Sequence, residues 1–487
     1  MCGILFLYGG NSNDFLEKTV SLLKHRGPDD VTKYTQDNYA MAFTRLAING
    51  SIKQGRQPHD TGRFMSMING EIYNAGHLAE VYRLKAIGSD TEVVGLLFNL
   101  LSIKIINFLD GFYSGIIFDK KSNKLYTVKD YLGKKGLFLV RKDGYKIITS
   151  ELKSVPDFES FEVIPKGICE IDLNTWTIKE HSPHINKSGS SNSKLLPEIL
   201  FQAVKKRIPK RGQSIGVFLS GGLDSSILAS IVNSLSNQVR YYILADAKKS
   251  IDYINAMKVI EYLQLQNIHI IPLPTRFELP DLISKVVRVT ESYNPSIISN
   301  GICSYLLSKA AKRDSVKVIF SGEGADEMFG GYRYFDKSGG WKEHRKELLE
   351  NLHFTELRRL DLSCMENSIE ARFPYLDRQI FNFVEHQKHE SFYKQRQGKR
   401  INKYILRKAF KDSLPSEIIW REKVSSDVGT GIRKLVVDYL KEKYGNEKEG
   451  LLKIWKTFYS HDPKHNYFHS YPTFDKVISE RGIDHKK

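Results

Sequence analysis

The chain has 487 residues, of which 41% are hydrophobic and 26% charged, the balance of a globular protein with too much chain for one core. Length alone suggests roughly two to four domains. No apolar run approaches the ~20 residues of a membrane span, and no basic segment precedes the short apolar run 3–8 as a secretory leader requires.

Four cysteines, at 2, 169, 303 and 364, show no C-x-x-C spacing, so neither a disulfide framework nor a zinc site is indicated and a reducing cytoplasm is expected. The net charge of +17 admits polyanionic substrates, but no long basic run is interleaved with aromatics. It therefore reads as a lysine-rich surface rather than a nucleic-acid groove. A local excess does stand out between Lys394 and Lys423, with ten Lys/Arg against three Asp/Glu, and could meet phosphates.

Cys2 stands directly behind Met1 and opens Cys2-Gly3-Ile4. With Met1 removed, one residue would carry both a thiol nucleophile and a free α-amine to act as its base. Position alone does not decide this, because a cysteine leading an apolar strand is equally a buried thiol. Apolar runs then recur at 3–8, 39–43, 64–68, 113–118, 124–128, 137–140, 145–149 and 168–172 between turn formers, predicting a strand-rich first domain. Asn186 to Lys194 lacks apolar periodicity and reads as a linker, giving domains 2–185 and 195–487.

Beyond it the pattern alternates: strands at 214–219, 239–245, 268–272 and 316–320, with helices at 224–235, 252–264 and 300–312. Such alternation predicts a parallel sheet with ligands at the carboxyl ends of its strands. Helical spacing follows in 343–360 and 400–411. The first strand runs into Leu219-Ser220-Gly221-Gly222-Leu223-Asp224-Ser225-Ser226, a glycine turn opening a helix. A helix N-terminus with serine hydroxyls is suited to phosphate. Without a lysine in the loop, a Walker-type site is disfavoured. The strand at 316–320 leads into Ser321-Gly322-Glu323-Gly324-Ala325-Asp326-Glu327, whose carboxylates are natural Mg²⁺ ligands.

The motifs taken together resemble the glutamine-hydrolysing asparagine synthetases over nearly the whole chain. In the first domain these are Cys2-Gly3-Ile4, His25-Arg26-Gly27-Pro28-Asp29, Arg45-Leu46-Ala47-Ile48, Gln57-Pro58, Asn69-Gly70-Glu71-Ile72-Tyr73-Asn74 and Gly88-Ser89-Asp90. The resemblance implies an αββα N-terminal-nucleophile hydrolase sandwich followed by a parallel-sheet PP-loop domain with a helical C-terminal part. It implies that Cys2 attacks the glutamine amide, that Asn69 and the Gly70 N–H form the oxyanion hole, and that Arg45 holds the α-carboxylate. Glu71 and Asp90 would hold the α-ammonium. In the second domain it implies ATP and pyrophosphate on the loop 219–226 and on Ser321, Gly322 and Lys403, with Mg²⁺ on Asp224 and Asp326. Glu323 and Lys403 would flank the activated carboxyl, while Glu370-Ala371-Arg372-Phe373-Pro374-Tyr375-Leu376-Asp377 is a further signature, architectural in role.

The activity so implied is aspartate activation by MgATP, then amide formation with ammonia released from glutamine, in a cytoplasmic enzyme whose candidate assembly is a homodimer. Two departures stand out. Ser296-Ile297-Ile298-Ser299 replaces the family's Thr-Thr-Ile-Arg, with Cys303 at a usual proline, and Leu132-Gly133-Lys134-Lys135-Gly136-Leu137 lacks another usual proline, which touches packing rather than chemistry. The missing arginine keeps open a related amidotransferase acting on a sugar acid, peptide or other carboxylate. A PP-loop RNA-modifying enzyme is a rival of another class, opposed by the intact glutaminase motifs, and a non-catalytic remnant is opposed by the same residues.

Overall fold

The computed structural model describes residues 2–468 apart from 11–12, 85–86, 183–188, 211, 247–248, 333–340, 397–398 and 466. The first part of the chain supplies strands β1 (Gly3–Tyr8), β2 (Asp30–Gln36), β3 (Tyr39–Arg45), β4 (His59–Asp60), β5 (Phe64–Ile72), β6 (Gly111–Asp119), β7 (Lys124–Lys129), β8 (Phe138–Lys142), β9 (Tyr145–Thr149), β10 (Ser160–Val163), β11 (Gly167–Asp172) and β12 (Ile178–His181). They make two antiparallel sheets, ordered β10-β8-β9-β1-β3-β2 and β12-β11-β7-β6-β5-β4.

The side-chain period of two explains how one strand serves two cores. Ile4 and Phe6 of β1 pack between the sheets with Met41, Met67 and Phe118, while Leu5 and Leu7 face outward with Leu16 and Val20 of the helix Asn13–Leu23. On the far side, helix Glu92–Leu101 buries Val93, Val94, Leu97 and Phe98 against Phe64 and Ile68. The result is the expected αββα sandwich. Strand β5 runs four residues past the apolar run that predicted it, because β6 pairs with it as far as Ile72 opposite Gly111. That extension carries Asn69, Gly70 and Glu71. Strands β2, β4, β10 and β12 had no apolar signature of their own.

Of the predicted linker, 186–188 lies outside the described residues; Ser193–Leu195 forms a single 3-10 turn leading into helix Leu196–Lys205. A wholly parallel sheet follows, ordered β15-β14-β13-β16-β17, from β13 (Ile215–Phe218), β14 (Val239–Leu244), β15 (Ile268–Ile271), β16 (Val318–Phe320) and β17 (Glu370–Arg372). Helices Leu223–Leu235, Ile251–Leu263 and Pro295–Arg313 connect its strands. The last begins five residues before its predicted start, since Asn294 caps it by accepting from Ser296 N at 2.9 Å and Pro295 occupies its first turn.

Two helical expectations need correction. Segment 343–360 is not one helix: Trp341–Asn351 ends in a 3-10 turn at Leu352–Phe354, and a second helix spans Glu356–Met365. Segment 400–411 begins as a hairpin of β18 (Lys394–Arg396) and β19 (Lys399–Ile401), and only Tyr404–Ala409 is helical. Lys403 separates the two in the left-handed region, φ 52°.

The two halves meet through a buried, charged seam. Arg26 donates to Glu151 at 2.5 Å and to Asp361 at 3.4 Å, and Lys135 donates to Asp361 at 2.7 Å. Arg372 pairs with Glu71 and, at 2.8 Å, with Glu370. Lys317 reaches Asp29 at 2.7 Å. The apolar core is also continuous, running from Leu5 and Val140 to Val217 and Ile319.

Candidate active sites

Strand β1 sets Cys2 beside the middle of β5. Cys2 N donates to Asn69 Oδ1 at 2.8 Å, and Arg26 Nε donates to the Cys2 carbonyl at 2.9 Å. Burial pushes the Cys2 thiol up, partly offset by nearby positive charge that includes Arg45. Asn69 is fully buried, and its Nδ2 has no hydrogen-bond partner among the described residues. A buried amide donor left unpaired costs about 1–3 kcal/mol, so a donor kept there beside a thiol is one waiting for an acceptor. Gly70 adopts φ 139°, and a Cβ on it would strike the Phe112 carbonyl across the β5–β6 pair. Only glycine allows the chain to pass there.

Arg45 anchors the loop beside it, donating to Ser51 O at 2.8 Å, Asn49 O at 3.1 Å and Ile52 O. Asp90 Oδ2 accepts from Ile72 N at 2.7 Å, and burial raises its carboxyl. Glu71 is differently occupied from the sequence expectation. Its Oε1 accepts from Asn49 Nδ2 at 2.7 Å and from Arg372, so it ties the N-terminal half to the seam. Burial pushes Glu71 up to about 8, with Glu370 and Asp90 adding to it against Arg372.

A second site opens at the carboxyl ends of β13 and β16, as a cavity of about 350 Å³. The helix Leu223–Leu235 starts at its wall, where Gly222 N donates to Ser220 Oγ at 3.3 Å and the Ser220 and Ser225 hydroxyls lie 3.1 Å apart. Gly221, at φ 64°, turns its carbonyl to Arg421 at 2.6 Å. Leu219, Leu223, Ser321 and Gly322 line the same cavity, whereas Gly221 and the buried Ser226 stand behind it.

Lys403 is the electrostatic hub. It lies 2.6 Å from both Asp224 Oδ2 and Asp326 Oδ1, and Lys423 lies 2.8 Å from Asp326 Oδ2. Burial opposes ionisation of Asp326, but the two lysines outweigh it and hold that carboxyl below its usual range. For Asp224 burial prevails and the carboxyl is raised. A left-handed, non-glycine backbone costs on the order of 1–3 kcal/mol and collects at functional sites, which suits Lys403. Glu323 pairs with Arg359 at 2.6 Å.

Asp224 Oδ1 is buried without a hydrogen-bond partner among the described residues. Two carboxylates completed by phosphate oxygens and water are a donor set that fits Mg²⁺, although no group of three or more His, Cys, Asp or Glu side chains forms a metal site among the described residues.

Sequence reasoning did not single out Arg359, Arg421, Lys423 or Asp252, all of which line the cavity. Arg421 and Lys423 fall in the basic stretch 394–423, which was their signal. Arg359 was hidden in an amphipathic helix and Asp252 in a helix start. At the substituted segment, Ser299 donates to Asp427 at 2.7 Å and Cys303 lies 3.8 Å from Thr430 Oγ1. All four cysteines are free and buried. Among the described residues no helix is long and apolar enough to cross a membrane.

Comparison with known proteins finds two family profiles along the chain. A family profile described as glutamine amidotransferase domain matches residues 1–186, and one described as asparagine synthase matches 195–351 and 338–453. A probable glutamine-hydrolysing asparagine synthetase of Acanthamoeba polyphaga mimivirus is 30% identical over 476 residues, covering 87% of this chain and 84% of the relative. Asparagine synthetase 1 of Arabidopsis thaliana is 32% identical over 466 residues, covering 88% and 78%. A probable counterpart in Schizosaccharomyces pombe is 32% identical over 480 residues, covering 88% and 85%. With both halves matched and the shared length so large, the chain belongs to the asparagine synthase family and carries the glutamine amidotransferase domain at its N-terminal end.

Proposed function

We propose that this chain is a glutamine-hydrolysing asparagine synthetase, with a glutaminase unit over 2–185 and a synthetase unit over 195–487. The observation that carries the reading is the unpaired Asn69 donor beside the Cys2 thiol, in one chain with a serine-glycine loop facing paired aspartates. Cys2, freed of Met1, gives its thiol proton to its own amine, and the sulfur attacks the glutamine amide carbon. Asn69 Nδ2 and Gly70 N–H meet the oxygen as it becomes anionic. The C–N bond breaks, ammonia leaves, and water hydrolyses the thioester to glutamate. Arg45 and Asp90 hold the two charged ends of the amino acid, with Glu71 behind them.

In the cavity, the helix N-terminus, Ser220 and Ser225 hold the phosphates of ATP, and Lys403 balances their charge. Asp224 and Asp326 would hold Mg²⁺, which when bound neutralises charge on the phosphates. The aspartate side-chain carboxylate attacks the α-phosphorus and pyrophosphate leaves. Ammonia then attacks the acyl carbon and AMP departs, giving asparagine. Glu323, fixed by Arg359, stands at the acceptor side of this exchange. The four unpaired thiols suit a cytoplasmic enzyme.

A second reading, a different carboxylate acceptor, is favoured by one contact: where an arginine would answer a substrate carboxylate, Ser299 is bonded to Asp427. The test supplies ¹⁵N-amide glutamine, MgATP and a panel of carboxylates. Labelled asparagine forming in step with AMP and pyrophosphate is expected, and its formation from ammonium should persist in Cys2→Ala. ADP as product, or amidation of another carboxylate but not aspartate, would overturn the assignment.

A further inference from the structure

Gln57 belongs to a motif that the chemistry above leaves without a role. Strand β5 is paired with β6 along its length, but on its other edge β4 covers only Met65 and Ser66. The peptide of Ile68 therefore presents its N–H and C=O to an edge without a strand, and such buried groups must find partners. The buried Gln57 side chain supplies both. Its Oε1 accepts from Ile68 N at 2.6 Å, and its Nε2 donates to Ile68 O at 3.1 Å. One carboxamide thus stands in for a neighbouring strand's peptide.

The same Nε2 donates to Thr91 Oγ1 at 3.3 Å. His59 Nε2 lies 3.3 Å from that hydroxyl and 3.4 Å from Ser89 Oγ, and the two hydroxyls are 3.2 Å apart. Segment 89–91 is therefore pinned to β5 twice, at Ile68 through Gln57 and Thr91, and at Ile72 through Asp90. Asn69, Gly70 and Glu71 lie between the pins.

We propose that Gln57 and Thr91, completed by His59, are positioning residues that set the span between the amide-activating donor Asn69 and the ammonium-binding acid Asp90, and so gauge the length of the amino-acid substrate. This rests on the glutaminase reading of Cys2, Asn69 and Asp90. The test uses the full chain with Thr91→Val, which keeps the side chain's shape and removes the hydroxyl, and Thr91→Ser, which restores it. Glutaminase kcat and KM are measured beside ammonium-dependent synthesis.

The expected result is a KM for glutamine raised about tenfold in Thr91→Val, the scale of one lost hydrogen bond, with kcat within about threefold and KM recovered in Thr91→Ser. Ammonium-dependent synthesis should not move. Unchanged constants in Thr91→Val, or a joint fall of kcat and ammonium-dependent synthesis, would overturn the proposal. Glutaminase activity surviving in Cys2→Ala would instead remove the reading beneath it, so the two failures are separable.

Discussion

Replacing Asn69 with alanine separates catalysis from folding in a way few substitutions here can. Its Nδ2 has no partner among the described residues, so no hydrogen bond seen there is lost when that donor goes, and the fold is relieved of an unmet group worth about 1–3 kcal/mol. Its Oδ1 accepts from Cys2 N at 2.8 Å, and removing it leaves that buried N–H unpaired in turn, also at about 1–3 kcal/mol. The two effects offset, leaving stability nearly unchanged. In the transition state the balance differs, because a preorganised donor at a developing oxyanion is worth about 10²–10³ in rate, or roughly 3–4 kcal/mol. Asn69→Ala should therefore lower glutaminase kcat by that factor with little change in unfolding midpoint, measured by glutamate release and denaturant titration. Asn69→Asp should be slower still, since it sets a negative oxygen where a donor is needed. Ammonium-dependent asparagine formation should stay at the wild-type rate in both. A kcat within threefold of wild type in Asn69→Ala would refute the oxyanion assignment.

Gly70→Ala forces a Cβ into the Phe112 carbonyl at φ 139° and should abolish glutamine hydrolysis while sparing the ammonium reaction, which parallel assays would check. Asp361→Ala leaves Lys135 and Arg26 short of a buried counter-charge and should cost about 3–5 kcal/mol, read as a lower denaturant midpoint. Asp252 is raised from 3.8 to about 7, chiefly by burial. Below pH 3.8 both folded and unfolded forms are protonated and it contributes nothing. Between there and 7 only the unfolded chain ionises, so stability falls as pH rises, and above 7 the penalty is constant. At about 1.4 kcal/mol per unit over roughly three units, Asp252→Asn should stabilise the protein at pH 8 by up to about 4 kcal/mol and have little effect at pH 4. An equal effect at both pH values would contradict this.

The serine-glycine loop was legible because its signal is local: a strand, a turn and a helix start within one dozen residues. Cys2 and Asn69 were legible as motifs, but Asn69 not as strand, since the polar Asn69 and Glu71 interrupt the apolar alternation by which β5 was recognised. What sequence could not give was occupancy. Glu71 carries the right charge for an ammonium, yet Arg372, some three hundred residues away, claims its Oε1. Arg359 likewise looks like the polar face of a helix until the fold brings Glu323 to it. The break at Lys403 was invisible because no sequence pattern marks a lysine that sits at positive φ and meets two aspartates from distant parts of the chain.

The buried ion pairs between the halves bear on how far the two activities can be treated as interchangeable parts. Separating the halves would return Arg26, Lys135 and Glu71 to water, parted from Asp361 and Arg372, but would also expose the apolar core that runs through both. Within the assembled chain a desolvated charge is tolerated only when its partner is in place, so the two halves are matched to one another at these pairs. A glutaminase transplanted from a relative must therefore bring seam residues that match those of its new host. Changes on the two sides of the boundary are bound to be made in pairs, which ties the divergence of the nitrogen-releasing half to that of the half that consumes it.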